Sequence, residues 1–281
     1  MSSLDELDPQ NIKDPILIYQ MGKVGSSSIL ASLKAERIPN SIFRIHQLSN
    51  KGFKRKIQWL CHHGATEVPE RIEDLLFIMK LRKVIHAHGD QFGWKIISMT
   101  REPMGLEISS FFENIWIYAN EVFDPDYIPK KEKILGFLHN YFSSEFDISS
   151  NYFCNWFDEE LKSVFDIDVF SKPYDFSSGF SIFKQANISV LIIRLEDLNR
   201  SFKKAMSEFL NLGNIELIRD NASENKEYFP LYKDVLESLF LPINLCKKVF
   251  SSKYAQHFYR PDEIDHIIKK WSQGPKVCTP C

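Results

Sequence analysis

The stretch Ile16-Leu-Ile-Tyr-Gln-Met-Gly-Lys-Val-Gly-Ser-Ser-Ser-Ile-Leu30 joins three kinds of sequence. Ile16 to Gln20 is a short apolar run, the signature of a buried strand. Gly22 and Gly25 follow at once, and glycines let a backbone turn tightly and come close to a ligand. Ser26 to Lys34 then has helical spacing, with Ile29, Leu30 and Leu33 on one side. Strand, turn and helix together leave free N–H groups and the positive end of a helix dipole where an anion can sit. Ser26, Ser27 and Ser28 add hydroxyl donors, and Lys23 adds a full positive charge. The stretch reads as a phosphate or sulfate cradle. The competing reading is a Gly/Ser turn that only caps a helix. The order GxxxxGK[ST] is absent, which weighs against an ordinary ATPase or GTPase.

The alternation continues outward. Ser41 to His46 reads as a second strand. Arg71 to Arg82 reads as a helix with Ile72, Leu75, Leu76 and Met79 on one stripe. Lys83 to His88 reads as a third strand and Lys95 to Thr100 as a fourth, with a helix opening near Pro103. Val190 to Leu195 is a fifth strand, followed by an amphipathic helix carrying Phe202, Ala205, Met206, Phe209 and Leu210. Residues 104–188 are rich in Phe, Tyr and Trp and weak in strand signals, so helices and loops are expected there. Pro261 to Trp271 repeats the helical stripe at Ile264, Ile267, Ile268 and Trp271. The pattern predicts an α/β fold: a central, mostly parallel sheet with helices on both faces, plus a helical annex. One domain is expected over 15–272, with a helical insertion at about 104–188, a loose lead at 1–14 and a loose tail at 273–281.

Two further motifs fall at strand ends. In Thr100-Arg-Glu-Pro103, Arg101 closes a buried strand on the rim where α/β proteins bind ligands, and a guanidinium suits a phosphate. Ser109 lies eight residues on, in the helix that Pro103 opens, so both side chains can address one anion. Arg194-Leu-Glu-Asp-Leu198 reads as structural: acidic residues that cap a helix and pair with a basic neighbour. Of the eight histidines, His62 and His63 are adjacent and make a poor joint site. His86 and His88 share one face if Lys83 to His88 is a strand, a spacing that could hold a metal, but with no acidic or thiol partner close by. His88 would leave that strand at the active rim. His46, Glu102 and Glu113 are the other candidate bases.

The totals narrow the classes. The 281 residues are 44% hydrophobic and 26% charged, ordinary for a globular domain, with a formal net charge of −2. No global basic field draws the chain to nucleic acid or acidic lipid, so an anionic ligand needs a local site. No apolar run reaches the roughly 18–20 residues that span a bilayer, and the polar first 14 residues lack a leader pattern. A cytoplasmic protein with no transmembrane segment is expected. Five cysteines, an odd number and mostly scattered, suit reduced thiols. The Cys278–Cys281 pair has CxxC spacing but no second pair to complete a zinc site.

The ordered set of strand–GK-loop–helix, strand–RxP with Ser109 eight residues after Arg101, and strand–R-x-E-D-L–helix resembles the sulfotransferase superfamily over roughly residues 15–212. Asn155-Trp-Phe-Asp-Glu-Glu160 and His257-Phe-Tyr-Arg-Pro-Asp-Glu-Ile264 also look like a bacterial group named for capsular polysaccharide synthesis. The resemblance implies an enzyme that moves a sulfuryl group from 3′-phosphoadenosine 5′-phosphosulfate to an acceptor hydroxyl, on a carbohydrate, without a metal. It assigns Lys23 to the bridging oxygen between phosphate and sulfate. Gly22 and Gly25 with Ser26, Ser27 and Ser28 would hold the 5′-phosphate, and Arg101 and Ser109 the 3′-phosphate. His88 would be the general base. Two departures stand out: the loop reads GKVGSSS rather than PKSGTT, and the C-terminal RKGxxG element is absent. A non-catalytic nucleotide-binding or scaffold protein, and a kinase or other nucleotide-dependent transferase, are the rival readings.

Overall fold

The computed structural model describes residues 4–62, 69–220 and 226–273. The chain divides into two compact units: Met1–Arg101 with Trp156–Asp220, and Glu102–Asn155 with Asn221–Cys281.

The first unit is built on five strands: β1 (Ile16–Tyr19), β2 (Ile42–Ile45), β3 (Lys95–Thr100), β4 (Phe180–Gln185) and β5 (Ile188–Arg194). Their order is β2-β1-β3-β5-β4. The first four in that order run parallel, and β4 pairs antiparallel with β5. The fold class is the α/β arrangement expected. Every residue of β1 is buried, as is usual for the middle of a parallel sheet covered on both faces. On one face, α1 (Ser26–Ala35) lies over Arg44 and Met99. On the other, Tyr19 packs edge-on against Trp156, with ring centroids 4.8 Å apart, and against Phe165.

The order of the strands creates the position that matters. From β1 the chain goes to β2 on one side, and β3 takes the other side. The sheet's switch point therefore lies between β1 and β3, where open α/β sheets bind ligands beyond the carboxyl ends of their strands. The loop after β1 and Arg101 after β3 both leave the sheet at that edge.

Two elements differ from expectation. Residues 83–88 are not a strand. They are the end of α3 (Pro69–His88), a 20-residue helix that follows α2 (Asn50–His62). Val84 continues the buried stripe of Ile78 and Leu81 at intervals of three residues, a helical period. The stripe expected to be buried instead faces outward, with Ile72, Leu76 and Met79 all exposed. Residues 104–188 also hold more than helices and loops: β4 is an edge strand hairpinned to β5 by Ala186 and Asn187, with Ala186 at φ 49°.

The second unit is helical. Its first helix, α4 (Pro103–Glu113), opens on Pro103, and the Glu102 carboxylate caps it by accepting from the N–H groups of Gly105 and Met104 at 2.8 and 3.0 Å. Its further helices include Lys131–Asn140, Phe229–Ser238, Ile243–Phe250, Lys253–Phe258 and Pro261–Gln273. Phe112, Tyr232, Val249, Phe250, Tyr254 and Trp271 are buried in its core. Each such side chain contributes roughly 1.5–3 kcal/mol by leaving water. Among the described residues no helix is long and apolar enough to cross a membrane. His63, Cys278, Cys281 and the tail beyond Gln273 lie outside the described residues.

Candidate functional site

The turn after β1 is held in a conformation that few residues accept. Lys23 has φ 64° and Gly25 has φ 99°, both left-handed. At Gly25 a side chain would be strained twice over, since a Cβ would also meet Leu195 Cδ1 at 3.1 Å and Met99 Cε at 3.3 Å. Gly22 is different: a Cβ there would meet nothing within 4 Å. A lysine in the left-handed region costs on the order of 1–3 kcal/mol, and such residues cluster at functional sites. Arg101 crosses to the same turn, where its Nη1 donates to the Lys23 carbonyl oxygen at 3.2 Å. The two cationic residues singled out by sequence are thus brought together at the switch point.

Ser26, Ser27 and Ser28 form the first turn of α1 after Gly25 at the N-cap position. Their N–H groups belong to the turn that has no intrahelical acceptors, and the helix dipole adds a partial positive charge there. Two of the three hydroxyls have partners in the protein. Ser27 Oγ accepts from Arg44 Nη1 at 3.0 Å, and Ser28 Oγ both donates to and accepts from the backbone of Asp220. Backbone donors, more than hydroxyls, give this cradle its capacity for an anion.

At the carboxyl ends of β1 and β3, the side-chain amide of Gln20 and the hydroxyl of Thr100 are fully buried and have no hydrogen-bond partner. Leaving such groups unpaired costs about 1–3 kcal/mol each.

His88 does not reach this rim. It ends α3, and its neighbour Gly89 accepts from Asn187 Nδ2 at 3.0 Å. Asn187 immediately precedes β5, at the edge where β1, β3 and β5 begin. Six residues of β3 separate that edge from Arg101, roughly 20 Å of strand. The assignment of His88 as base fails for this reason, which is the same helix-for-strand difference described above. His86 and His88, two residues apart on a helix, point about 200° apart and do not share a face.

His46 does lie at the rim. It follows β2, and its Nδ1 sits 2.7 Å from the carbonyl oxygen of Gln20. In the neutral ring that contact makes Nδ1–H the donor and leaves the lone pair on Nε2. Burial holds the imidazole pKa below its ordinary value of 6.5, against the opposing effect of the Gln20 contact. The backbone of His46 is fixed by Trp156 Nε1–H, which donates to its carbonyl oxygen at 3.0 Å.

Glu160 anchors the next stretch. Fully buried, its carboxylate accepts from the Tyr19 hydroxyl at 2.5 Å, from the Leu48 and Ser49 N–H groups at 2.8 and 2.9 Å, and from the Ser49 hydroxyl at 2.9 Å. It also explains Gly52, where a Cβ would meet Glu160 Oε1 at 1.7 Å. One carboxylate thereby ties β1 to the start of α2. Sequence alone gave no sign of this anchor beyond the Asn155–Glu160 motif.

At the end of β5, Arg194 pairs with Asp197, both buried, and Arg200 pairs with Asp197 at 2.9 Å. The pairing was expected. The Asp197 side chain makes no capping bond to the helix Leu198–Leu210.

Ser109 belongs to the second unit, in α4, where it is buried. Glu102 is occupied as the cap of α4, and Glu113 accepts from the Tyr228 hydroxyl at 3.0 Å. The same unit hides a carboxyl that sequence reasoning missed. Glu107 accepts from the Tyr141 hydroxyl at 3.1 Å and from Asn151 Nδ2, beside a small cavity also lined by Phe111, Tyr118 and Phe137. Burial, outweighing both hydrogen bonds, pushes its pKa up to about 7. The folded state then holds a proton that the unfolded chain gives up near pH 4.5, so this group's stabilisation is full below that pH and is lost as pH rises through about 7. At 1.36 kcal/mol per pKa unit the loss is about 3 kcal/mol at most. Glu107→Gln should flatten the fall in urea midpoint between pH 5 and pH 8. An unchanged pH dependence in that variant would show that Glu107 titrates normally.

Residues 127–260 match the family described as "Putative capsular polysaccharide synthesis protein". The match covers a little under half of the 281 residues and includes Asn155–Glu160, with its Trp156 and Glu160 anchors, and the helix Lys253–Phe258. It begins after the Gly22–Ser28 turn and Arg101. No curated protein matches the chain.

Proposed function

We propose that the chain is a sulfotransferase, moving a sulfuryl group from 3′-phosphoadenosine 5′-phosphosulfate to a hydroxyl of a saccharide. The observation that carries this reading is the meeting of Arg101 with the Lys23 turn at the switch point between β1 and β3. The match to a capsular polysaccharide family favours a saccharide as acceptor. The donor supplies an activated sulfuryl group whose departure leaves negative charge on a phosphate oxygen.

Each role follows from the chemistry of the residue. The N–H groups of Ser26, Ser27 and Ser28 and the α1 dipole hold the 5′-phosphate. Lys23 places its ammonium at the bridging oxygen, where charge grows. Arg101 grips the 3′-phosphate. His46 takes the proton of the attacking hydroxyl on Nε2 while Nδ1–H stays bound to the Gln20 carbonyl. Positioning and charge stabilisation carry such a transfer.

A thermal-shift comparison tests the donor. A ligand at 100 times its Kd adds about 2.7 kcal/mol, a rise in Tm of roughly 5–10 °C for a chain of this size. Adenosine 3′,5′-bisphosphate should give that rise and AMP should not, and Arg101→Ala should remove most of the difference. Equal shifts with the two nucleotides would remove the 3′-phosphate site. A larger shift with ATP and magnesium would favour a kinase, and no shift with any nucleotide a scaffold.

A further inference from the structure

We infer that the cleft between the start of α2 and the end of α3 binds an acidic saccharide, one that carries carboxylate groups, as the acceptor. The inference rests on the transfer reading above and names its substrate class. The cleft lies wholly within the first unit and has a volume of about 820 Å³, within the roughly 300–1,000 Å³ typical of ligand sites. Asn50, Lys51, Arg82, His86 and Ser163 contribute its polar lining.

Charge decides the class of ligand. Among the described residues two cationic side chains, Lys51 and Arg82, line the cleft with His86, against a single carboxylate, Glu159. That carboxylate is already held twice, by Lys51 at 2.5 Å and by Arg55 at 3.0 Å. Arg82 is preset: its guanidinium lies 4.9 Å from the Phe53 ring centroid, Nη1 donates to the Ser49 carbonyl oxygen at 3.0 Å, and Nη2 reaches Asn50 Oδ1. A planar guanidinium so fixed loses little freedom on gripping a carboxylate. Lys51 is 63% exposed and shares Glu159 with Arg55, so an incoming anion competes with that carboxylate for it. Among the described residues the apolar lining is aliphatic, from Leu48, Ile85 and Val164. Hydroxyls suit the polar side chains of Asn50 and Ser163, and carboxylates suit the cationic ones.

Position links the cleft to the rim. Its wall begins at Leu48, two residues beyond His46, and Glu160 fixes that segment to Tyr19 at the end of β1.

Calorimetric titration of the full chain with the hexamer of galacturonic acid, and with maltohexaose as the neutral control, tests this. The uronate hexamer should bind at sub-millimolar Kd, weaken at high salt, and exceed the neutral hexamer by at least tenfold. Lys51→Ala and His86→Ala alter exposed side chains and should keep the fold. Each should weaken uronate binding several-fold while leaving the bisphosphate-induced thermal shift unchanged. Equal binding of the two hexamers, no binding of the uronate, or variants that bind it normally would overturn the inference. If either variant lost the bisphosphate shift, the cleft would be a nucleotide site and the inference would fall. If uronate bound as expected but wild type gave no bisphosphate shift, the cleft would stand and the transfer reading would fall.

Discussion

Lys23→Ala should lower kcat by about 10²–10³ while changing the Kd for adenosine 3′,5′-bisphosphate by only a few-fold. Removing one preorganised group that stabilises developing charge typically costs that much. An interaction that strengthens only as the bond to sulfur breaks appears in kcat rather than in ground-state binding. The measurement is bisphosphate release in the presence of a saccharide acceptor, beside calorimetric binding of the bisphosphate. The left-handed backbone of Lys23 supplies a control. Alanine pays the same conformational cost as lysine at φ 64°, whereas glycine relieves it. Lys23→Gly should therefore lose as much kcat as Lys23→Ala, though it relaxes the turn. If glycine alone were impaired, the shape of the turn would matter and the ammonium would not. A raised KM with normal kcat in both would make Lys23 a ground-state clamp.

The parts of the fold legible in the sequence are those where one element carries one signal. The β1–turn–α1 unit declared itself through an apolar run, two glycines and a helical stripe, and β3 and β5 through apolar runs with an arginine just after or at the end. The misreading of residues 83–88 has a specific cause. Val84 and Ile85 are β-branched, and Lys83-Val-Ile-His-Ala-His88 alternates much as a strand does. Yet from Arg71 to His88 there is no glycine or proline, with Pro69 opening the helix and Gly89 following it. Those boundary residues were the better evidence. The exposed Ile72–Met79 stripe misled in the same way, because a periodic apolar face does not say which side of a helix meets the core. β4 was hidden because an antiparallel edge strand with Lys184 and Gln185 at its end has neither a continuous apolar run nor strict alternation.

The candidate site was legible where it is built from residues beside a strand end, and illegible where it is held by partners far apart in sequence. Lys23 and Arg101 each stood at a strand end and could be paired by topology. Glu160 acts on Tyr19 and Ser49 across more than a hundred residues of chain, and no local pattern announces such a contact. The serines show the reverse limit. Their N–H groups follow from being at a helix start, but the partners of the Ser27 and Ser28 hydroxyls, Arg44 and the Asp220 backbone, follow only from tertiary packing.

His46→Ala should cost about 10²–10⁴ in kcat, the usual share of general base catalysis, with bisphosphate binding nearly unchanged. His46 also holds a buried contact to Gln20, so loss of activity alone would not separate a base from a spacer. His46→Asn separates them. Its Nδ2 can donate to the Gln20 carbonyl as the ring Nδ1–H does, but it has no basic nitrogen to replace Nε2. A base role requires the asparagine variant to be as impaired as the alanine variant, whereas rescue by asparagine would make His46 a positioning residue. The pH profile adds an independent reading. Burial lowers the imidazole pKa, so the ring stays neutral below pH 6.5 and the acidic limb of the kcat profile should fall below that pH. The same shift links to stability with a fixed sign. The folded state favours the neutral ring, so its contribution is present above the unfolded pKa of about 6.5 and is lost as pH falls through the lower folded value. Wild type should therefore lose stability on acidification through a group that His46→Asn lacks, and the acidic limb of activity should vanish with it. An acidic limb of unchanged midpoint in the residual activity of His46→Asn would place the base on another residue.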